Sequence, residues 1–160
     1  MVTADTISDW NTAFTTDLLS VTTLVNHALP HLEKSKGCIV AIGSVSGRYV
    51  DATAPGPYGA LKAALTHYIS QLARTLAPKG VRANTVSPGN VYFEDGFWGK
   101  VERESPEFFQ EMIKANPTGR MGRPDEIADA VVFLASNERA SFISGANLLV
   151  DGAVCAGVQF

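Results

Sequence analysis

The fold is decided by the stretch GCIVAIGS at residues 37–44, a continuous apolar run that closes with Gly43 and Ser44. Apolar and polar residues do not alternate in this run, and that pattern predicts a strand covered on both faces, as in a parallel sheet. Similar runs predict a second strand over residues 81–86 and a third over residues 146–150. We therefore expect the three strands to form one buried parallel sheet.

A long amphipathic helix is predicted before the first strand. Apolar residues recur at spacings of three and four from Trp10 to Leu32, which is the period of one buried helix face. Ser8 or Asp9 is expected to cap the start of this helix, because short polar side chains accept hydrogen bonds from the first free backbone N–H groups. Pro30 lies inside the pattern, so we expect the last turns to kink or tighten there.

Helices are also predicted between the strands. Apolar periodicity indicates one helix over residues 58–76, a short one near residues 106–115 and another over residues 124–135. The aromatic-rich segment from Tyr92 to Trp98 is expected to be a loop. Strands that alternate with helices define an α/β fold, here a partial Rossmann-like, doubly wound parallel sheet flanked by helices.

Length and composition predict a single globular domain over residues 1–160. The chain is 46% apolar and 18% charged, which suits a hydrophobic core and excludes a disordered composition. The formal net charge is −3 and no basic block occurs, which argues against nucleic acid as a partner.

The sequence also favours a cytoplasmic protein. It shows neither the pattern of a signal peptide nor an apolar stretch of about 20 residues, so no membrane partner is expected. Cys38 and Cys155 have no CxxC spacing and no histidine ligand pattern nearby, which argues against a metal site. We expect both cysteines to be buried, reduced thiols.

The chemistry is predicted from Tyr58 and Lys62, which are four residues apart at the start of a helix and so share one face. Tyrosine titrates near ~10 in water, and an ammonium beside it stabilises the phenolate form. This pair alone also occurs on ordinary helix surfaces. Ser44 adds weight, because it ends a predicted parallel strand, where α/β proteins form ligand sites. Its hydroxyl can meet the phenol there and donate to a substrate oxygen.

Five segments in this order resemble the short-chain dehydrogenase/reductase family, and together they span nearly the whole chain. They are IGSVSG at residues 42–47, YGALKAA at 58–64, VRANTVSPG at 81–89, GRMGRPDEIA at 119–128 and FISGANLLVDG at 142–152. The resemblance implies reversible interconversion of an alcohol and a carbonyl compound with NAD or NADP. It further implies that Tyr58 is the general acid/base, that Lys62 assists it and holds the nicotinamide ribose, and that Ser44 orients the substrate oxygen.

The resemblance also assigns part of a cofactor site. Tyr58, Lys62, Pro88, Gly89 and Val91 match positions that contact the nicotinamide end of the cofactor. Members of the family begin with a strand and a glycine-rich turn that holds the pyrophosphate, and neither GxxxGxG nor GxGxxG occurs here. The chain is therefore expected to correspond to the C-terminal part of the family fold. The choice between NAD and NADP is left open.

Three departures from the family pattern affect the site. Ser44 precedes the tyrosine by 14 positions, one more than usual, so residues 51–57 are expected to carry one extra residue and Ser46 is the alternative serine. Asp17 stands where many members have an asparagine of a proton relay. It is interpreted either as a substitute that anchors water near the lysine or as a carboxylate that reaches solvent or a backbone partner. Phe93 replaces a threonine that often contacts the cofactor.

Substrate and assembly remain broader expectations. Phe93, Phe97 and Trp98 line an apolar substrate pocket or cover the sheet edge, and the first interpretation predicts an apolar or cyclic alcohol or ketone. The helices that begin near Trp10 and Tyr58 are those that the family uses to form dimers, so a homo-oligomer is expected.

Two alternatives to an active enzyme stay open. A catalytically inactive fragment could pair through its helices with a full-length relative, because the sheet edge beside the first strand would be exposed. The chain could also be an incomplete gene product.

Overall fold

The computed structural model describes residues 6–50 and 56–157, and within them the predicted parallel sheet is present. Three parallel strands pair in chain order, and they are β1 (Cys38–Ile42), β2 (Arg82–Pro88) and β3 (Asn147–Val150). Register is continuous from one strand to the next, with Cys38 beside Arg82 and Thr85 beside Asn147. The carboxyl ends of β1 and β2 therefore lie side by side.

Six α-helices surround this sheet in the described residues. They are α1 (Ile7–Ala13), α2 (Ser20–Ser35), α3 (Pro57–Leu76), α4 (Phe97–Glu104), α5 (Pro106–Ala115) and α6 (Pro124–Ala135). The predictions for α3, α5 and α6 are confirmed. The expectation of a loop through Trp98 was wrong, because α4 begins at Phe97.

The predicted N-terminal helix is interrupted and starts earlier than expected. Thr6 is the N-cap, and it forms a reciprocal capping box with Asp9, whose carboxylate accepts a 2.8 Å hydrogen bond from the Thr6 N–H. The expectation that Ser8 or Asp9 is the cap was therefore wrong. Between α1 and α2 the backbone forms a π-helical turn, Phe14–Leu19, and Pro30 lies inside α2.

Helices cover both faces of the sheet, which confirms the doubly wound arrangement. Ala41 and Ala83 pack with α3 in the main hydrophobic cluster of buried residues. Arg82 precedes Ala83 and so points to the opposite face, where its guanidinium donates a 2.8 Å hydrogen bond to the Leu134 carbonyl of α6. Leu18 of the π turn packs against the α3 side of the cluster, so the N-terminal helix lies on that face.

The two cysteines are half-buried rather than fully buried as expected. The Cys38 thiol donates to the Ala135 carbonyl at 3.4 Å. Among residues 6–50 and 56–157, no group of three His, Cys, Asp or Glu side chains is placed to hold a metal ion. No helix in the same part of the chain combines the length and apolar character needed to cross a membrane.

Candidate active site

A cavity of about 730 Å³ opens at the carboxyl ends of β1 and β2. This is the edge at which parallel α/β sheets form ligand sites. Six of the residues that the sequence predicted for the site line it, namely Ser44, Tyr58, Lys62, Pro88, Gly89 and Val91. The alternative serine, Ser46, lines it too.

Ser44 is held at the cavity wall by the turn that follows β1. It is buried and caps a single 3-10 turn, Val45–Gly47, in which its Oγ accepts a 3.2 Å hydrogen bond from the Ser46 N–H. That bond uses the hydroxyl oxygen as an acceptor, so it does not use the hydroxyl proton. The side chain keeps a donor for a ligand oxygen in the cavity.

Two glycines allow α3 to approach this turn closely. A Cβ at Gly47 would lie 2.8 Å from the backbone carbon of Lys62, and a Cβ at Gly59 would lie 2.7 Å from the Ser46 carbonyl oxygen. Neither position can hold a side chain without moving the backbone opposite it. The first turns of α3, which carry Tyr58, are thereby placed against the turn that carries Ser44.

Lys62 is the charged centre of the site. Its Nζ lies 3.1 Å from Asp17 Oδ1, donates to the Ile42 carbonyl at 3.3 Å and stands 5.6 Å from the centre of the Tyr58 ring. The Lys62 and Asp17 side chains are only 13% and 19% exposed. The Asp17 carboxylate and the Ile42 carbonyl therefore hold the Lys62 ammonium in one position beside the Tyr58 phenol.

The structure places the Asp17 carboxylate in direct contact with the Lys62 ammonium, a contact that neither sequence interpretation described. The interpretation of Asp17 as an anchor for water near the lysine stays a prediction. Asp17 lies in the π turn, where the Ser20 N–H donates to the Thr15 carbonyl five residues earlier. The π turn thus fixes the direction in which Asp17 leaves the helix axis, and such turns are frequent at functional sites.

The loop after β2 is fixed by backbone hydrogen bonds. The Gly89 N–H donates to the Val150 carbonyl at 3.1 Å, and a Cβ at Gly89 would lie 2.8 Å from the Asp151 Cβ, so only glycine fits. Val91 pairs with Gly122 in a parallel bridge. This segment presents backbone to the cavity in a defined position.

Aromatic side chains form an apolar wall of the cavity, in agreement with the pocket interpretation of this segment. Phe97 packs edge-on against Trp98 with ring centres 5.2 Å apart, and Trp98 stacks on Phe108 at 6.2 Å. Phe93 also lines the cavity. Phe108 and Ile127 were missed as cavity residues, although the helical pattern of α5 placed Phe108 on a helix next to the aromatic segment.

Hydrogen bonds and ion pairs hold two segments next to the cavity. The Tyr92 hydroxyl donates to Glu102 at 2.6 Å, and that bond raises the pKa of Tyr92. Near the start of α6, which contributes Pro124 and Ile127 to the lining, hydrogen bonds from the Arg120 guanidinium and the Arg123 N–H lower the pKa of Glu126 to about 2. The first bond joins the loop after β2 to α4, and the second set braces the start of α6.

Comparison with known proteins agrees with this arrangement. A Rossmann-like α/β fold with a cavity at the carboxyl end of its sheet defines the class of protein. Residues 2–154 match a family model described as enoyl-(acyl carrier protein) reductase. The chain belongs to the short-chain dehydrogenase/reductase family, as its motifs predicted.

Named relatives are similar over most of this chain but are longer. The chain is 40% identical over 152 residues to isoepoxydon dehydrogenase patN of Penicillium expansum, which covers 94% of this chain and 58% of that protein. It is 41% identical over 139 residues to L-fucose dehydrogenase of Bos taurus, which covers 85% of this chain and 50% of that protein. The chain thus spans about half to three fifths of their length.

Solved structures of similar shape include proteins with bound nicotinamide cofactors. A short-chain dehydrogenase/reductase family oxidoreductase from Burkholderia thailandensis has a TM-score of 0.87 at 34% identity, covering 96% of this chain and 59% of that one. ElxO with NADP bound has a TM-score of 0.85 at 27% identity (96% and 61%). A 3-oxoacyl-[acyl-carrier protein] reductase with bound NAD from Brucella melitensis has a TM-score of 0.81 at 27% identity (93% and 53%).

Proposed function

We propose that the chain carries the catalytic half of an oxidoreductase that interconverts an alcohol and a carbonyl compound with NAD or NADP. The observation that supports this most strongly is the placement of Ser44, Tyr58 and Lys62 on one cavity, with the Lys62 ammonium fixed beside the phenol. The chain spans 58% of the length of isoepoxydon dehydrogenase patN. Catalysis of this kind by the whole protein is therefore included in the proposal.

Tyr58 is the proposed general acid/base. Its side chain lines the cavity and is 41% exposed, so a substrate oxygen can reach the phenol. In the reducing direction the phenol donates its proton to the carbonyl oxygen, and in the oxidising direction the phenolate accepts the alcohol proton. Lys62 stabilises the phenolate electrostatically, and the Ser44 hydroxyl donates a hydrogen bond that orients the same substrate oxygen.

The residues present fit the nicotinamide end of a cofactor. Lys62 offers a fixed ammonium for a ribose hydroxyl, and Pro88, Gly89 and Val91 line the same cavity on a loop that the hydrogen bond from the Gly89 N–H to the Val150 carbonyl holds in place. The chemistry that such a cofactor supplies when bound is hydride transfer. The relatives with NAD and with NADP bound leave the choice between the two open.

Asp17 is the proposed positioning residue of this site. Asp17 is not itself among the residues that line the cavity, and it acts through the 3.1 Å contact with the Lys62 ammonium, which does line it. A carboxylate at this distance fixes the rotamer of a flexible lysine, which would otherwise sample several positions in an open cavity. The ammonium is thereby kept where both the phenol and a ribose can use it.

The proposal is tested by Tyr58→Phe, with Tyr68→Phe as the matched control. Tyr68 lies on the same helix but packs against the core cluster. Hydride transfer is followed with both cofactors across a panel of alcohols and ketones. We expect Tyr58→Phe to lower kcat/KM by about 10²- to 10⁴-fold and Tyr68→Phe to leave it nearly unchanged. Absence of turnover by the folded unmodified chain with either cofactor would exclude independent catalysis.

A second candidate function is that of a binding or assembly fragment. In the described residues β1 is an edge strand, and Ile42 at its end is 46% exposed. Trp10, Phe14 and Leu24 are exposed apolar side chains of the N-terminal helix, which suits a homo-oligomer through that helix and α3. Size-exclusion chromatography with light scattering tests this candidate, and a folded, monodisperse monomer would count against it.

A further inference from the structure

The described lining of the cavity carries few charged groups. Among the lining residues within 6–50 and 56–157, only Tyr58 and Lys62 are ionisable, and the Lys62 ammonium already pairs with Asp17. This part of the lining thus offers no unpaired cation for a phosphate or carboxylate. A charged group that entered it would lose its hydration without gaining a counter-ion, which is costly.

The segment that carries the aromatic wall adds a negative field. Residues 93–115 contain six acidic and three basic residues, so the segment has the same net charge of −3 as the whole chain. All of these side chains are exposed, and the acidic ones are Glu94, Asp95, Glu102, Glu104, Glu107 and Glu111. Three of the acidic residues lie within two positions of an aromatic residue that lines the cavity, and an anion approaching that wall is repelled.

Size and shape narrow the ligand further. A cavity of about 730 Å³ is in the range of single small-molecule sites, and part of it is needed for the nicotinamide end of a cofactor. The aromatic side chains in the lining, Phe93, Phe97 and Trp98 among them, suit a compact ring with an apolar side. The polar groups of the same lining, including Ser44 and Tyr58, serve one or two oxygens of such a ring.

From these observations we infer that the site selects free, uncharged, compact cyclic alcohols and ketones, and discriminates against substrates that bear a carboxylate, a phosphate or an acidic carrier. This inference rests on the proposed function, since it names the substrate class of the same site. It differs from what the acyl-carrier names of the family model and of one structural neighbour would suggest.

A matched pair of probes tests the inference by binding, independently of turnover. Methyl 4-oxocyclohexanecarboxylate and 4-oxocyclohexanecarboxylate share one ring and differ in a single charge. Each is titrated into the full chain and followed by the indole N–H signal of Trp98, assigned with Trp98→Phe. We expect the ester to bind at least about tenfold more tightly than the acid. Equal or tighter binding of the acid overturns the inference, as does failure of both probes to bind.

The acidic segment is tested with Glu94→Gln combined with Asp95→Asn, and with Glu138→Gln as a control outside the segment. The double variant should raise the affinity for the acid about twofold and leave the ester unchanged, and about 0.3 M salt should remove this gain. The control should change neither affinity. A double variant that binds the acid no better contradicts the part of the inference that concerns the segment.

The outcomes separate this inference from the proposed function. If the ester binds and the acid does not, but no hydride transfer occurs with either cofactor, the charge selection stands and the proposed function fails. If hydride transfer occurs with ester and acid at similar kcat/KM, the proposed function stands and the charge selection fails.

Discussion

Two cations are enclosed at opposite ends of the same sheet, and their surroundings differ. At the amino end, Arg82 is 8% exposed and donates to the Leu134 carbonyl and to the Asn137 Oδ1, both at 2.8 Å, with further bonds to Ile143 and Ala135. Its partners in these bonds are neutral oxygens. At the carboxyl end, Lys62 has one carboxylate partner, one carbonyl partner and an open cavity beside it.

The difference separates a cation with a structural role from the cation to which we assign a role in the proposed chemistry. The Arg82 fork is satisfied by the last carbonyls of α6 and by the loop after it, so it caps a helix and joins it to β2. The Lys62 ammonium is positioned by its contacts with the Asp17 carboxylate and the Ile42 carbonyl, and its charge lies beside the Tyr58 phenol. If burial alone were used to choose a candidate for the proposed chemistry, Arg82 would come first. The chemical nature of the hydrogen-bond partners favours Lys62 instead.

Replacing the functional cation should have the largest effect. We expect Lys62→Met to lower kcat/KM by between about 10² and 10³, because the phenolate loses the charge that stabilises it. The free energy of unfolding should fall by about 1 to 2 kcal/mol, less than for a fully buried pair, because the Asp17 carboxylate left without its partner is close to the open cavity. Steady-state kinetics and urea unfolding measure the two quantities. Parallel losses in both would contradict the comparison.

Replacing the structural cation should reverse this pattern. Arg82→Met leaves several buried carbonyl oxygens without donors, so we expect a loss of about 3 kcal/mol in the free energy of unfolding. Under conditions in which the variant remains folded, its kcat/KM should stay within about twofold of the unmodified chain. A stable Arg82→Met protein with strongly reduced turnover would show that the two ends of the sheet are coupled.

The positioning role of Asp17 predicts a graded, smaller effect. Asp17→Asn keeps a hydrogen-bond acceptor for the ammonium and should lower kcat/KM by about tenfold. Asp17→Ala removes this acceptor and should lower kcat/KM further. Urea unfolding of both variants should change by about 1 kcal/mol or less. If Asp17 had only a structural role, kcat/KM measured without denaturant would change only in proportion to the fraction of folded protein.

The exposed ion pairs at the start of α6 should matter least. Because the pKa of Glu126 is lowered to about 2 in the folded protein from 4.5, its ionised form stabilises the fold. That contribution is complete above about pH 4.5 and is lost as the pH falls towards 2. We expect unfolding midpoints of the unmodified chain and of Glu126→Gln to differ at pH 6 and to converge near pH 2. If the difference between the two unfolding midpoints were the same at every pH, the ion pairs of Glu126 would not contribute to stability as proposed.

Much of the fold could be predicted from the sequence because its signals are local. The apolar run before Ser44 and the helical period after Tyr58 each depend on neighbouring residues. The helix α4 was missed because Phe97, Trp98 and Gly99 are weak helix formers. Packing against α5 compensates, including the stacking of Trp98 on Phe108.

The site was predictable in its residues but not in its electrostatics. Spacing placed Tyr58 and Lys62 on one helix face, and the strand end placed Ser44 near them. The direct contact of Asp17 with Lys62 depends on the π turn, and the spacing of apolar residues in the sequence does not predict that turn. The role of Arg82 likewise depends on carbonyls more than 50 positions away in the chain, such as that of Leu134 at a separation of 52.

The π turn at Phe14–Leu19 has a consequence for how the N-terminal helix tolerates changes in length. A π turn holds one more residue than an α-helical turn, so the chain has absorbed an extra residue there without ending the helix. Deleting Thr16 would restore α spacing within this turn. Because the wider turn already accommodates its extra residue, α1 and α2 would keep nearly the same orientation about the helix axis, and Trp10 would keep its neighbours. The turn therefore lets the helix carry an extra residue next to Lys62 without changing which residues α1 presents to α3.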